Sequence, residues 1–454
     1  MIITFYGGAQ TVTGSKHLVT LESGTRILLD CGLFQGKDAD KNGDLGFDPT
    51  SVDYVVLSHT HVDHSGLLPY LVKRGYQGPI FCTPPTYELC EIILSDSAHI
   101  QQSSHRDPSK GKPLYGEADV DACLKQFVTV RYGEPYRVSD EVELLFTDAG
   151  HVLGSAVVNL KLQEGRQTRT LCFSGDVGRF SNRILRAPQE FPQAEVILCE
   201  STYGDRFHHS LADIEERIQQ IVHETCVEKK GKVLIPAFSL GRTQELIYTL
   251  DRLVDQGKLT NVNVFVDSPL SVYATQVIRN HQECFNEALT EYVAEHPEPF
   301  NFPRLHYITD VEDSKLLHAV DEPCVIISSS GMMQAGRILH HLRYNIADEN
   351  NTVLVTGYCA PGTLGHELMQ GAERVTIFDE ELPVGATVTI LKEYSAHADY
   401  GDFLRFLFCQ DKEKIQRMFL VHGEESGMKK FRTSLEKDGY PNVEIAAPMI
   451  SYEV

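Results

Sequence analysis

Ser58-His59-Thr60-His61-Val62-Asp63-His64-Ser65-Gly66 crowds three imidazoles and one carboxylate into positions 59–64. The apolar run Tyr54-Val55-Val56-Leu57 precedes it and reads as a buried strand. If that strand stays extended through His61, its period of two places His59 and His61 on one side of the backbone, where both can bind one cation. A turn after His61 sends Asp63 and His64 towards a second, adjacent site. Ser65-Gly66, ahead of the apolar Leu67-Leu68-Pro69-Tyr70-Leu71-Val72, marks a helix start. Imidazole and carboxylate are the usual partners of zinc outside thiolate sites, so zinc is the expected metal. A His-rich surface loop would carry the same residues but would not need a strand before it and a helix after it.

A length of 454 residues accommodates two or three domains. Hydrophobic residues at 42% and charged residues at 23% are globular proportions, which argues against a disordered class. The formal net charge of −22 excludes a general basic coat for nucleic acid, so any polyanion must be held locally. Eleven cysteines, an odd number with no CxxC pair, do not make a secreted disulfide framework. Cys82, Cys172, Cys199 and Cys324 lie in or beside strand-like runs, as buried thiols of a reducing compartment do. Met1-Ile2-Ile3-Thr4-Phe5-Tyr6-Gly7-Gly8 lacks a basic leader and reads as a first strand. No apolar run approaches a membrane span. The expectation is a cytoplasmic protein without a membrane partner.

Outward from the His-rich stretch, residues 1–65 alternate strand patterns at 2–6, 18–21, 26–29 and 54–57 with Gly-rich turns. Asp30-Cys31-Gly32 closes the third strand. Asp30 there either orients a ligand histidine from behind, by bonding its far ring nitrogen, or is a turn former before glycine, and both readings stay open. Residues 66–75 and 84–103 read as helices, and the polar segment 101–115 as a loop, either a lid or a surface excursion. Strand patterns return over 127–176. They deliver His151 in Asp148-Ala149-Gly150-His151 and Asp176 in Ser174-Gly175-Asp176, both after β-rich runs. A shared rim at the strand ends is the expected meeting place. Val196-Ile197-Leu198-Cys199-Glu200 is a further strand ending in an acid.

From 211 the texture changes to helices and short strands over 211–228, 233–237, 242–256, 262–266, 274–289, 324–328, 336–343 and 352–356. This is the rhythm of an open, mostly parallel sheet, and it predicts a separate domain. Two strand-to-helix turns, Ser239-Leu240-Gly241-Arg242 and Ser328-Ser329-Ser330-Gly331, could present backbone N–H groups to an anion. Arg242 and Arg337 could add a bidentate fork. Tight turns and surface arginines would explain the same residues. No Walker lysine is present, so P-loop hydrolysis is not indicated. From 391 the first texture returns, with His397 in Ser395-Ala396-His397-Ala398-Asp399 and His422 in Leu420-Val421-His422-Gly423-Glu424.

With these residues assembled, the chain resembles the metallo-β-lactamase superfamily and, within it, the β-CASP nucleases of RNA processing. HTHVDH, His151, Asp176, Glu200 in ESTYGD, His397 in SAHAD and His422 in VHGE occur in that family's order. PAFSLGRTQEL, DSPL, SSSGMM and TGYCAPGTLG resemble its insert. The resemblance implies an α/β fold, an αβ/βα sandwich from residues 1–207 and 391–454, with 208–390 as an inserted Rossmann-like domain. It implies two Zn2+, one on His59, His61 and His151, the other on Asp63, His64 and His422, bridged by Asp176. Glu200 and His397 would lie on the leaving-group side as catalytic residues, with Asp63 as a third. His422 stands where RNA-acting members have histidine and DNA-acting relatives have an aliphatic residue. The implied activity is hydrolysis of single-stranded RNA by a two-metal-activated hydroxide, as an endonuclease and, as a further mode, a 5′ exonuclease. Ser329, Ser330, Gly331, Arg242 and Arg337 are the phosphate-binding candidates, and a homodimer is the default assembly. The competing readings are a superfamily hydrolase of small esters or thioesters and a non-catalytic RNA-processing scaffold.

Overall fold

A computed structural model describes residues 1–104, 112–208, 213–357, 359–360, 362–391 and 394–454. The chain divides into two compact units, Met1–Phe207 with His397–Val454, and His208–Ala396.

The first unit is built on two seven-stranded sheets. One runs Ser451–Glu453, Ile2–Gly7, Lys16–Thr20, Arg26–Leu29, Tyr54–Val56, Ile80–Cys82, Phe127–Thr129 in space. The other runs Val443–Ile445, Arg417–Val421, Val196–Glu200, Gln167–Phe173, Ala156–Glu164, Val142–Asp148, Tyr136–Arg137. The period of two sorts their side chains. Ile3, Phe5, Ile27 and Leu29 of the first sheet meet Phe146, Leu160, Phe173, Leu198 and Phe419 of the second in one buried core. Alternate residues point outward: Leu28, Val55 and Ile80 pack on Leu68, Leu71 and Leu94 of the helices. On the far side Cys172, Ile197, Met418 and Leu420 pack on Phe403, Phe406, Met428 and Phe431. A slip of one residue would exchange the two sets, so burial on both faces sets the register. The layers are helix, sheet, sheet, helix, the αβ/βα sandwich that the resemblance implies. The tail completes both sheets: Val421 pairs opposite Glu200 in a parallel ladder, and Ser451–Glu453 pairs antiparallel with the first strand.

The second unit holds six strands in the spatial order Leu305–Ile308, Asn263–Asp267, Cys324–Ser328, Val233–Pro236, Thr352–Val355, Thr387–Ile390. Every neighbouring pair is parallel. Three of its inner strands, Cys324–Ser328, Val233–Pro236 and Thr352–Val355, are buried throughout, which is why Cys324-Val325-Ile326-Ile327 and Val233-Leu234-Ile235 are continuous apolar runs and not alternating ones. The fourth strand along the chain sits between the first and the second, unlike a plain dinucleotide-binding sheet.

Some elements differ from expectation. The helix expected at 66–75 is the shorter Leu68–Lys73, and a separate turn of helix, Val62–Ser65, comes before it; Pro69 sits in the first turn of Leu68–Lys73, where its missing N–H costs nothing. Residues 274–289 belong to two helices, Pro269–Asn280 and Glu287–Glu295, because the Asn286 side chain accepts from Leu289 N–H and starts a new one. The helix Pro84–Ser104 takes up the start of the predicted loop at 101–115, and 105–111 of that loop lie outside the described residues. Glu117–Leu124, Leu305–Ile308 and the hairpin Arg374–Ile377 with Glu380–Pro383 were not expected; they are short, and the alternation of Arg374-Val375-Thr376-Ile377 extends over only four residues. No described helix is long and apolar enough to cross a membrane.

Candidate metal centre

In the first unit His59, His61, His151, Asp176 and His422 sit on loops that leave the ends of strands, and Asp63 and His64 sit on the short helix Val62–Ser65. The strand Tyr54–Val56 stops at Val56 and residues 57–61 are irregular, so His59 and His61 do not share a strand face. They meet because the chain turns, with His61 capping Val62–Ser65 at φ −53 and ψ 145. His59 Nε2 lies 3.1 Å from His61 Nδ1, and His151 Nε2 lies 3.3 Å from the same atom. Asp176 Oδ2 stands 3.6 Å from Nε2 of both His59 and His151. In a second group His64 Nε2 is 3.3 Å from His422 Nε2, which is 3.4 Å from Asp63 Oδ2. Asp176 Oδ1 is 3.3 Å from His64 Nε2 and 3.4 Å from His422 Nδ1. One carboxylate therefore faces both groups, with an oxygen to each.

A layer behind them fixes the rings. Asp30 is fully buried; its oxygens accept from Ser58 N–H at 2.7 Å and Ser58 Oγ at 2.9 Å, and Oδ2 lies 2.6 Å from His64 Nδ1. Asp30 also takes the left-handed turn conformation, φ 58, so the turn former and the partner of His64 are the same residue. Ser15 N–H donates to Asp63 O at 2.8 Å, and Lys16 Nζ donates to the carbonyls of Gly14 and Gly32 at 3.0 Å each. Burial pulls the Lys16 ammonium down to about 8. Lys16 carries no signal in the sequence, because a buried lysine looks like any other until its partners are known.

The donor set fits metal ions. Asp176 Oδ1 is buried without a hydrogen bond. A tetrahedral zinc with nitrogens at roughly 2.0–2.1 Å would space them roughly 3.3–3.4 Å apart, close to the separations above. The charges agree. Burial favours a neutral His64, but the Asp176 and Asp30 carboxylates outweigh it and hold the imidazolium well above the usual histidine range. Burial likewise opposes ionisation of Asp176, and the charges of His422 and His64 overcome it and hold the carboxyl well below its ordinary value. Burial, then the charge of His64, depresses His59 strongly, and burial takes His61 down to about 4. His59 and His61 are thus neutral ring donors, and the Asp176 carboxylate draws positive charge to the centre, as the raised His64 records.

Asp176, Glu200 and His397 form a third group. Glu200 Oε1 accepts Val177 N–H at 2.7 Å and lies 3.2 Å from His397 Nδ1, while Oε2 accepts Thr202 N–H at 3.2 Å. Burial disfavours a charged His397, but the Glu200 charge and hydrogen bond raise it to about 9. The ring is then protonated at neutral pH, with Nε2 as its second N–H.

The phosphate-binding candidates belong to the second unit. Ser329 Oγ donates to Ser268 Oγ at 3.2 Å, and Ser268 Oγ is 3.3 Å from Ser239 Oγ, so the PAFSLG, DSPL and SSSG turns gather at the ends of parallel strands. One expectation needs correction. The helix after Ser329-Ser330-Gly331 begins only at Ile338, so these residues are not a helix N-terminus; Ser330 Oγ instead donates to Ala335 O. The arginine forks are engaged within the unit. Arg337 donates to Asp267 Oδ1 and to Thr309 O, both at 2.7 Å. Arg242 pairs with Glu245 and lies 4.3 Å from the centre of the Tyr394 ring. Asp267, fully buried, also takes Ser314 Oγ and His341 Nε2 at 2.6 Å each. The DSPL motif was its only trace in the sequence.

Family models match three stretches: a metallo-beta-lactamase superfamily domain over residues 18–187, a Beta-Casp domain over 243–368, and a Zn-dependent metallo-hydrolase RNA specificity domain over 381–448. Ribonuclease TTHA0252 of Thermus thermophilus is 36% identical over 94% of this chain and 94% of its own length. The RNase J-like protein of Methanocaldococcus jannaschii is 30% identical over 93% of each. The transcription termination factor FttA of the same organism is 31% identical over 93% of this chain and 67% of its own. A solved structure of a protein of unknown function from Enterococcus faecalis V583 covers 100% of this chain and 99% of its own with a TM-score of 0.56 at 11% identity, a likeness of fold alone. The chain belongs to the β-CASP branch of the metallo-β-lactamase superfamily, a family of RNA-processing, metal-dependent hydrolases.

Proposed function

We propose that this chain is a zinc-dependent ribonuclease that hydrolyses phosphodiester bonds of single-stranded RNA, internally and, as a further mode, from the 5′ end. The observation that carries the reading is the contact of His397 Nδ1 with Glu200 Oε1 at 3.2 Å, next to the two His/Asp groups. Hydrolysis of a small ester or thioester needs no such protonated imidazole, and a scaffold needs no intact ligand set. His59, His61 and His151 would hold one ion, Asp63, His64 and His422 the other, with Asp176 between them and Asp30 orienting His64. When bound, two such ions lower the pKa of water towards neutrality and offset the charge of a phosphodiester.

The remaining steps belong to the chain. His397, kept protonated by Glu200, gives its Nε2 proton to the departing oxygen as the P–O bond breaks, a role worth about 10²–10⁴ in rate. Glu200, held by two backbone N–H groups, fixes the ring through Nδ1. Asp63, less buried than His64, stands on the open side of its group. In the second unit Ser329, Ser330 and Gly331 serve as phosphate contacts, while Arg242 and Arg337 brace the turns through their ion pairs.

RNA is favoured by His422 and by the names of the relatives. In this reading residues 1–207 and 391–454 make the hydrolase domain and 208–390 the β-CASP insert. All eleven cysteines are free thiols, which supports a cytoplasmic home, and a homodimer is the default assembly. The test uses zinc-loaded protein with 5′-labelled and 3′-labelled single-stranded RNA and DNA, with a chelator control. Internal RNA fragments from both labels establish endonuclease action, and mononucleotide released from the 5′ label establishes the exonuclease mode. Uncut RNA, whether DNA is cut beside it or a thioester offered in a parallel assay is turned over, would overturn the reading.

A further inference from the structure

Thr202 follows the strand that ends in Glu200, and it touches the ligand candidate contributed by the returning tail. Its hydroxyl lies 3.1 Å from His422 Nδ1 and 3.1 Å from His422 O. A hydroxyl has one proton and two lone pairs, and a carbonyl oxygen can only accept. The Thr202 proton therefore goes to His422 O, and Oγ1 accepts from Nδ1–H. Asp176 Oδ1, at 3.4 Å from the same nitrogen, is the more distant acceptor. With Nδ1 carrying the proton, the His422 lone pair is on Nε2, the atom 3.3 Å from His64 Nε2 and 3.4 Å from Asp63 Oδ2. His64 presents the same nitrogen for the same reason, since its Nδ1 is taken by Asp30 at 2.6 Å.

We propose that Thr202 is a positioning residue that sets the tautomer and orientation of His422, as Asp30 does for His64, so that both rings of the second group present Nε2 to one zinc ion. The same residue reaches the acid side of the site through its backbone, because Thr202 N–H donates to Glu200 Oε2 at 3.2 Å. Only the hydroxyl is specific to the side chain. A substitution at 202 therefore separates the hold on His422 from the hold on Glu200. The inference rests on the two-ion reading above and goes beyond it by assigning Thr202 to one ion of the pair.

The experiment titrates zinc into metal-stripped full-length protein against a chromogenic chelator, resolving the affinities of two ions. Thr202→Val keeps the branched shape and the backbone N–H but removes the hydroxyl. It should weaken one of the two ions about 10- to 100-fold, the usual effect of losing an outer partner of a ligand histidine, and leave the other unchanged. Thr202→Ser, which restores the hydroxyl, should return the weak ion to within a few-fold of wild type. Thermal melts of the metal-free proteins check folding, and Thr202→Ala goes through the same titration if the valine variant does not fold. Unchanged affinities in the variant without the hydroxyl, equal weakening of both ions, or a serine variant as weak as the valine one each overturn the assignment. A wild-type protein that takes up fewer than two zinc ions overturns the two-ion reading itself, and the assignment with it.

Discussion

The Glu200 carboxylate lies 3.2 Å from His397 Nδ1, although 197 residues separate them in sequence. The parallel ladder that pairs Glu200 with Val421 places the acid beside the returning tail, and the bridge between Gly178 and His397 brings the ring to it. The pair thus depends on the tail being threaded into the second sheet.

His397→Ala should keep both zinc ions and lose about 10²–10⁴ in turnover on RNA. Glu200→Gln should lower the pH at which activity falls on the alkaline side, since the charge that raises His397 to about 9 is removed. Metal analysis with a pH–rate profile checks both. Full activity of the alanine variant would sink the role given to His397.

His422→Ala should lower zinc content towards one ion per chain, because His64 and Asp63 then keep only Asp176 between them. Asp30→Asn should have a milder effect, about 10- to 100-fold in affinity, through loss of the charged partner of His64 Nδ1. Elemental analysis after dialysis distinguishes the two.

Gly32→Ala should be destabilising and should disturb the second group specifically. A β-carbon at Gly32 would lie 1.6 Å from Asp63 O and 2.6 Å from His64 N, both backbone atoms that cannot move without carrying their side chains along. A cost of about 1–3 kcal/mol or more is expected, readable as a lower melting temperature together with weaker binding of one zinc ion. Gly24→Ala, with nothing within 4 Å of the added carbon but φ +94, is the control for conformational strain alone.

Asp148 gives a pH test on stability. Burial raises its carboxyl to about 7, against the Gly150 N–H bond and the charge of Arg186. The folded state therefore holds a proton that the unfolded state has released. The contribution is fully present below about 4, the unfolded value, and is lost as pH rises through about 7. Over that window it is worth up to about 4 kcal/mol. Asp148→Asn, which still accepts from Gly150 N–H, should flatten the fall in stability between pH 4.5 and 7.5 measured by urea unfolding. An identical slope in both proteins would refute the burial account.

The sandwich was legible only through the resemblance: Val196-Ile197-Leu198-Cys199 is apolar on both faces, so the run marks a strand without saying what covers it, and the fold sends Val196 and Leu198 into one core and Ile197 and Cys199 into the other. The ligand candidates were legible because histidines and acids stood at strand ends in a known order. The helix at 66–75 was read too simply, since Ser65-Gly66 resembles a start while the hydrogen bonds from His64 N–H and Ser65 N–H to His61 O begin the turn earlier. The partners of Arg337 were out of reach for a different reason. Whether an arginine is free depends on what faces it, and Asp267 lies 70 residues away.

From its sequence alone the chain determines which residues can bind a cation, which runs are apolar enough to be strands, and that the last stretch repeats the texture of the first. Those are properties of composition and period, and they survive without knowing the partners. Only the tertiary structure decides which nitrogen of each imidazole turns inward, that Asp176 offers one oxygen to each group, that Asp30 serves His64 and Thr202 serves His422. The physical reason is that a buried polar atom must find its partner wherever the fold brings one, and here those partners come from both ends of the chain.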